Sequence, residues 1–131
     1  MNILLVDDDE DDRVLFCDVV HEIDSGIECL TVSDAEVALK GLRSMKYPRP
    51  DVIFLDLNMP KIGGLECLKE LKNDHSLMDI PVVMYTTSCV ERDIKKALKL
   101  GADTYITKPM SFDHVFNAIK FTLNSFDLLN K

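Results

Sequence analysis

VIFLDLNMP, residues 52–60, sets four apolar residues in an unbroken run and follows them with Asp56, a short polar stretch and Pro60. A strand with one wet face alternates apolar and polar residues. A run without alternation fits a strand buried on both faces, as in parallel sheets. Three other short runs have the same form. NILLV (2–6) ends at Asp7-Asp8, Pro81–Tyr85 ends at Thr86, and Thr104–Thr107 ends at Lys108-Pro109. A parallel sheet gathers the carboxyl ends of its strands on one edge, where open α/β folds place their ligands. Groups far apart in the chain therefore converge on one acidic pocket holding a single lysine, a pocket suited to a divalent cation and a phosphoryl group.

The segments between these runs carry helical spacing. Leu15, Phe16, Val19, Val20 and Ile23 recur at threes and fours and predict a helix over 10–23, with Asp9 or Glu10 at its positive end. Ser25-Gly26 turns the chain into a strand at Ile27–Val32. Ser33 or Asp34 can cap a helix over 35–45 whose inner face is Ala35, Ala38, Leu39 and Leu42. Tyr47-Pro48-Arg49-Pro50 breaks the chain before the strand at Val52–Leu55. Leu65, Leu68 and Leu71 mark a helix over about 64–73. Ile94, Ala97 and Leu98 mark another that ends at Gly101. Val115, Phe116, Ile119 and Leu123 mark a last one over about 112–126. The order βαβαβαβαβα implies a doubly wound α/β fold, a five-stranded parallel sheet with helices on both faces.

The 131 residues fit one domain over the whole chain, 1–131, with no output domain expected. Fifteen basic residues against 23 acidic ones give a net charge of -8, which disfavours a nucleic acid partner. Much of the excess sits in the unbroken run Asp7–Asp12. An EF-hand reading of that run fails because Arg13 stands where the loop needs glycine. The four cysteines, Cys17, Cys29, Cys67 and Cys89, form no C-x-x-C pair and read as free, mostly buried thiols of a reducing cytosol. Neither a signal peptide nor a membrane-length apolar run is apparent, so a cytoplasmic location is expected.

LLVDDD (4–9), VIFLDLNMP (52–60) with Gly64, VVMYTTS (82–88) and GADTYITKP (101–109), in this order, resemble the receiver domain of two-component response regulators in its single-domain, chemotaxis-Y-like form. The resemblance implies a flavodoxin-like strand order 2-1-3-4-5. It implies a signalling switch in which Asp56 accepts a phosphoryl group from a phosphohistidine, with Mg²⁺ (or Mn²⁺) held by Asp8, Asp56 and the backbone carbonyl of Asn58, and by Asp7 mainly through water. Thr86 and Lys108 would bind the phosphoryl group. Tyr105 would turn inward as Thr86 moves, and Asn58, Thr87 and Ser88 would tune the lifetime of the acyl phosphate. The Lys108–Pro109 bond would be cis.

The charges suit this chemistry: Asp7, Asp8 and Asp56 carry three negatives, and one divalent cation with Lys108 carries three positives, so an anionic group enters a near-neutral site. Asp9 to Asp12 read as acids decorating a helix start. His21, His75 and His114 read as surface or structural, and Lys95, Lys96 and Lys99 as a solvated face. Gly63-Gly64 stands where Asp-Gly is common in the family, and Met110 where Phe is frequent.

The implied partners are a sensor histidine kinase or a histidine phosphotransfer protein and a downstream protein target, with a phosphorylation-dependent homodimer left open. No membrane or direct nucleic acid contact is expected. The domain would catalyse its own phosphorylation and dephosphorylation without being a turnover enzyme. A haloacid-dehalogenase-like phosphatase is the alternative from another class, but it wants a second Asp where Asn58 stands. A phosphorylation-independent pseudo-receiver scaffold is the third reading.

Overall fold

The structure is a computed structural model that describes residues 1–129. Five strands, β1 (Asn2–Val6), β2 (Glu28–Val32), β3 (Val52–Leu55), β4 (Val82–Thr86) and β5 (Thr104–Thr107), alternate with five helices. The helices are α1 (Glu10–Ile23), α2 (Ala35–Arg43), α3 (Gly64–Asn73), α4 (Glu91–Lys99) and α5 (Phe112–Ser125). All strand pairs are parallel and the sheet order is β2-β1-β3-β4-β5, the expected doubly wound arrangement.

Successive side chains of a strand point to opposite faces, so each buried run feeds two cores. Leu4, Val6, Ile53, Leu55, Val82 and Met84 pack under α2, α3 and α4. Ile3, Leu5, Val52, Phe54, Val83 and Tyr85 pack under α1 and α5. In the second core Phe16, Phe54 and Tyr85 form an edge-to-face trio, with ring centroids 4.9, 5.5 and 6.2 Å apart.

Helix ends follow local chemistry. Asp9 caps α1 by accepting from the Asp12 amide, Asp34 rather than Ser33 caps α2, and Ser111 caps α5. After α4, Gly101 adopts φ of 109°. Its amide donates to the Leu98 carbonyl and the next amide to Ala97, which closes the helix in a Schellman motif. The helix predicted over 35–45 stops at Arg43, because Met45 takes a left-handed φ of 58°. The fifth helix ends at Ser125, a residue before its predicted limit.

The β3–α3 turn is held by close approach. The Gly64 amide donates to the Leu57 carbonyl at 2.8 Å. A Cβ on Gly64 would fall 2.1 Å from the Asp56 carbonyl oxygen, so only glycine lets α3 start this close to the end of β3.

Candidate functional site

The ends of β1, β3, β4 and β5 bring Asp7, Asp8, Asp56, Thr86 and Lys108 to one sheet edge. Adjacent parallel strands in register make the convergence: Val6 pairs with Leu55, and Thr86 with Thr107. The Asp56 amide then donates to the Val6 carbonyl and the Lys108 amide to the Thr86 carbonyl, fixing each functional residue one step past its strand. Asp7, Asp56 and Thr86 are buried, Asp8 is exposed, and carboxylate oxygens of Asp7, Asp8 and Asp56 lie within 4.8 Å of one another. Three clustered carboxylates and no nitrogen or sulfur donor make a set suited to a hard cation such as Mg²⁺ or Mn²⁺.

Lys108 organises the acids. Its ammonium donates to Asp7 Oδ2 at 2.7 Å and to Asp12 Oδ2 at 2.8 Å, and lies 3.6 Å from Asp56 Oδ2. It also stands 5.5 Å from the centroid of the Tyr85 ring, so the aromatic core props the charged end. Burial alone would lower the lysine pKa. The hydrogen bonds to Asp12 and Asp7, with the charge of Asp56, outweigh burial and raise it, so the ammonium stays protonated. Burial raises the Asp7 carboxyl above its ordinary range, against the pull of Lys108 and the Asp9 amide. Both Asp7 oxygens are already engaged, Oδ1 by the Asp9 amide at 2.9 Å and Oδ2 by Lys108.

Two expectations change. Every peptide bond among the described residues is trans, so the cis Lys108–Pro109 bond is not found. The Lys108 amide is anchored to β4 at 2.7 Å and the four-carbon stem still reaches Asp7 and Asp12. Nothing then demands the less favoured isomer, which is disfavoured by about 0.5–1 kcal/mol. Asp12, read as helix-start decoration, is instead a direct partner of Lys108. Its neighbour Arg13 donates to the Asp7 carbonyl at 2.8 Å. The sequence held a signal for Asp12: it stands four residues before Phe16, on the stripe of α1 that faces the core.

The remaining candidates form a second tier on the β4–α4 loop. Thr86 Oγ1 accepts from the Ser88 amide at 3.4 Å. Ser88 Oγ donates to Asp93 Oδ2 at 2.8 Å, and the Tyr105 hydroxyl donates to the Ser88 carbonyl at 2.8 Å. Tyr105 is half-buried, and burial raises its pKa. Asn58 and Thr87 are exposed at the rim, and the Asn58 amide donates to Asp56 Oδ1 at 3.3 Å. His21, His75 and His114 are exposed, and Lys95 is paired with Glu91 on the surface of α4. The thiols are less buried than expected: Cys67 is buried, Cys17 and Cys29 are half-buried, and Cys89 is exposed.

An open parallel sheet whose strand ends carry an acidic triad, a hydroxyl and a lysine defines a doubly wound α/β domain with a polar site at its carboxyl edge. Residues 3–120 match the model of the response regulator receiver domain, and the chain belongs to that family, the receivers of two-component signalling. It is 32% identical over 119 residues to the polar-differentiation response regulator DivK of Brucella anthropi, covering 91% of this chain and 93% of DivK. Against the phosphate regulon regulator PhoB of Escherichia coli (36% identical) it spans about half of the relative's length, 49%. Among solved structures, the phosphorylated cyanobacterial phytochrome response regulator RcpA superposes with a TM-score of 0.88 at 36% identity, covering 95% of this chain and 92% of RcpA. The Mn²⁺-bound response regulator Rcp1 superposes with a TM-score of 0.86 at 34% identity, covering 99% and 96%.

Proposed function

We propose that this receiver domain is a phosphoacceptor switch that takes a phosphoryl group onto Asp56 from a phosphohistidine of a sensor histidine kinase or histidine phosphotransfer protein. The carrying observation is Lys108, held between Asp7 and Asp12 with its ammonium 3.6 Å from the Asp56 carboxylate. In the transfer an Asp56 oxygen forms the new bond to phosphorus while the phosphorus–nitrogen bond of the donor breaks, its electrons passing to the imidazole. Lys108 is placed to meet the charge on the transferred oxygens.

Asp8 and Asp56, the Asn58 backbone carbonyl and, through water, Asp7 would hold Mg²⁺, or Mn²⁺ as in Rcp1. When bound, the cation offsets carboxylate charge and draws phosphoryl oxygens toward the nucleophile. The double engagement of Asp7 by Lys108 and the Asp9 amide supports its indirect role.

Thr86, buried at the end of β4, would donate its hydroxyl to a phosphoryl oxygen and give up its contact with the Ser88 amide. Tyr105 is bonded to the carbonyl of that same Ser88, so a shift of the loop reaches the ring directly. Inward rotation of Tyr105 then shifts the population between two surfaces of α4, β5 and α5. Leu98, Met110 and Phe112 are exposed there and suit a downstream protein or a second phosphorylated copy. Asn58, Thr87 and Ser88 line the approach of water and would set the lifetime of the acyl phosphate.

The domain acts as a switch in the cytoplasm and not as a turnover enzyme. Asn58, two residues after Asp56, has no proton to give a leaving group as a phosphatase requires. The test is phosphotransfer from a radiolabelled histidine kinase with Mg²⁺. Label should appear on the wild type and be absent from Asp56→Asn; label persisting on that variant would place the acceptor elsewhere. Thr86→Ala should still take label but lose phosphorylation-dependent partner binding.

A further inference from the structure

We propose that Cys17 and Cys29 form a reversible redox pair, which a small disulfide of the oxidised-glutathione class converts to an internal bridge tying α1 to the edge strand β2. The two Sγ atoms are in contact at 2.9 Å, although the residues stand on different elements and 12 positions apart. A covalent bond requires an approach to about 2.05 Å, a small movement of side chains already facing each other. Both cysteines are free thiols. They are half-buried, so a small reagent can reach them.

The surroundings assign separate roles. The contact with Cys29 lowers the Cys17 pKa, against burial and the charge of Asp18, while the same contact and burial raise Cys29. Cys17 is therefore the attacking thiolate and Cys29 the resolving thiol. Cys17 also lines a surface groove with Glu10, Arg13, Val14, Asp18 and Thr31, through which a small disulfide can approach its sulfur.

The chemistry balances as thiol–disulfide exchange. The Cys17 thiolate attacks one sulfur of the reagent, forming a mixed disulfide and releasing one small thiolate, which takes up a proton. Cys29 gives up its proton to solvent and attacks the Cys17 sulfur, displacing the second small thiol. Two protein thiols are oxidised by two electrons, and one small disulfide is reduced to two thiols. Glutathione and thioredoxin systems keep such bonds transient in a reducing compartment, as a redox-sensing pair requires. The bridge would fasten to β2 the helix whose first turns carry Asp12 and Arg13, the residues that hold Lys108 and the Asp7 carbonyl.

The experiment treats the full chain with oxidised glutathione in a Cys67→Ser/Cys89→Ser background, followed by thiol counting in denaturant and peptide mass mapping without reductant. The expected result is loss of both remaining thiols, a single linked peptide joining Cys17 to Cys29, recovery with dithiothreitol, and a higher unfolding temperature for the bridged form. Cys29→Ser in that background should stop at a glutathione adduct on Cys17. Separate glutathione adducts on both cysteines without a link, a link only between two chains, or two unreacted thiols would each overturn the proposal.

Discussion

Gly64→Ala tests how tightly the end of β3, which carries Asp56, is clamped to α3. An added methyl would lie 2.1 Å from the Asp56 carbonyl oxygen, 2.6 Å from Leu57 Cα and 2.8 Å from the Asp56 carbonyl carbon, where ordinary contact lies at 3.4–4 Å. All three atoms are backbone, and that backbone is pinned by the Asp56 amide on Val6 and the Gly64 amide on Leu57. No rotamer change relieves the overlap, so the chain must move by more than an ångström. Overpacking of a rigid site costs about 1–3 kcal/mol, and backbone contact puts this case at the upper end. Alanine returns at most about 1 kcal/mol of helix propensity. The net loss is about 2 kcal/mol, a fall in Tm of about 8 °C for a domain of this size.

Gly63→Ser is the control. A Cβ there meets only the Leu57 carbonyl oxygen, at 3.7 Å, and serine at the helix cap changes stability by a few tenths of a kcal/mol, in the stabilising direction. Urea unfolding of the three proteins reads both effects as midpoint shifts at constant m. A Gly64→Ala protein within about 0.5 kcal/mol of wild type, or equal losses at the two glycines, would refute the close-approach argument.

Asp12→Asn and Lys108→Met should each destabilise the fold, and the double variant should lose about 1 kcal/mol less than their sum, because the two share one charge-assisted hydrogen bond; additive losses in urea unfolding would remove Asp12 from the site. Phe16→Ala should cost about 3–5 kcal/mol, since the ring is fully buried against Phe54 and Tyr85; a loss below about 1 kcal/mol in the same assay would contradict that packing. The Val37 amide, then the Glu36 amide and Lys61, hold the Asp34 carboxyl below its ordinary 3.8; the Ser76 hydroxyl and amide, then Arg43, do the same for Asp74. Depressed carboxylates contribute stability that is complete above the unfolded value and is lost as pH falls from about 3.8 through the lower folded values. Asp34→Asn and Asp74→Asn should therefore flatten the acid limb of a Tm-against-pH curve below 3.8, and limbs parallel to wild type would show that these bonds carry no linkage.

What could be read from the sequence and what could not divide along a physical line. Strands β1, β3 and β5 are uninterrupted apolar runs or lie between sharp punctuation, and their ends fixed Asp7, Asp56 and Lys108 without tertiary information. The start of α2 at Ala35 was legible, with Asp34 the cap of the two candidates, while its end slipped from 45 to Arg43, with the left-handed Met45 past it. The missed residues depend on how α1 crosses the sheet. Within the acidic run, helical spacing sets Asp12 on the stripe of Phe16 but does not say what it meets there. The placement of α1 against the sheet then brings Asp12 to Lys108 while Asp11 stays in solvent. In sequence Tyr85 stands only as the end of the Pro81–Tyr85 run, and its place beneath Lys108 follows from the Phe16–Phe54 pair that holds its ring. The Cys17–Cys29 contact likewise needs α1 laid against the edge strand.

The added residues alter the electrostatics of the site. With Asp12 included, four carboxylates surround one ammonium, and Lys108 alone would leave the cluster strongly anionic. Arg13 moderates this from an unexpected side: it binds the Asp7 carbonyl and no carboxylate, so its charge enters the cluster without occupying a carboxylate oxygen. The resident groups then sum to two negative charges, which one divalent cation would cancel. A phosphoryl group, itself carrying about -1.5 to -2 charge, would otherwise meet a site of its own sign. Lys108 is bound on the Asp7 and Asp12 side and is 3.6 Å from Asp56, beyond hydrogen-bond distance. It can therefore turn toward an arriving oxygen while keeping one of its two acidic partners. Asp7 and Asp12 thus hold the lysine protonated and near Asp56, and under the proposed function its final contact would be made by the phosphorylated state.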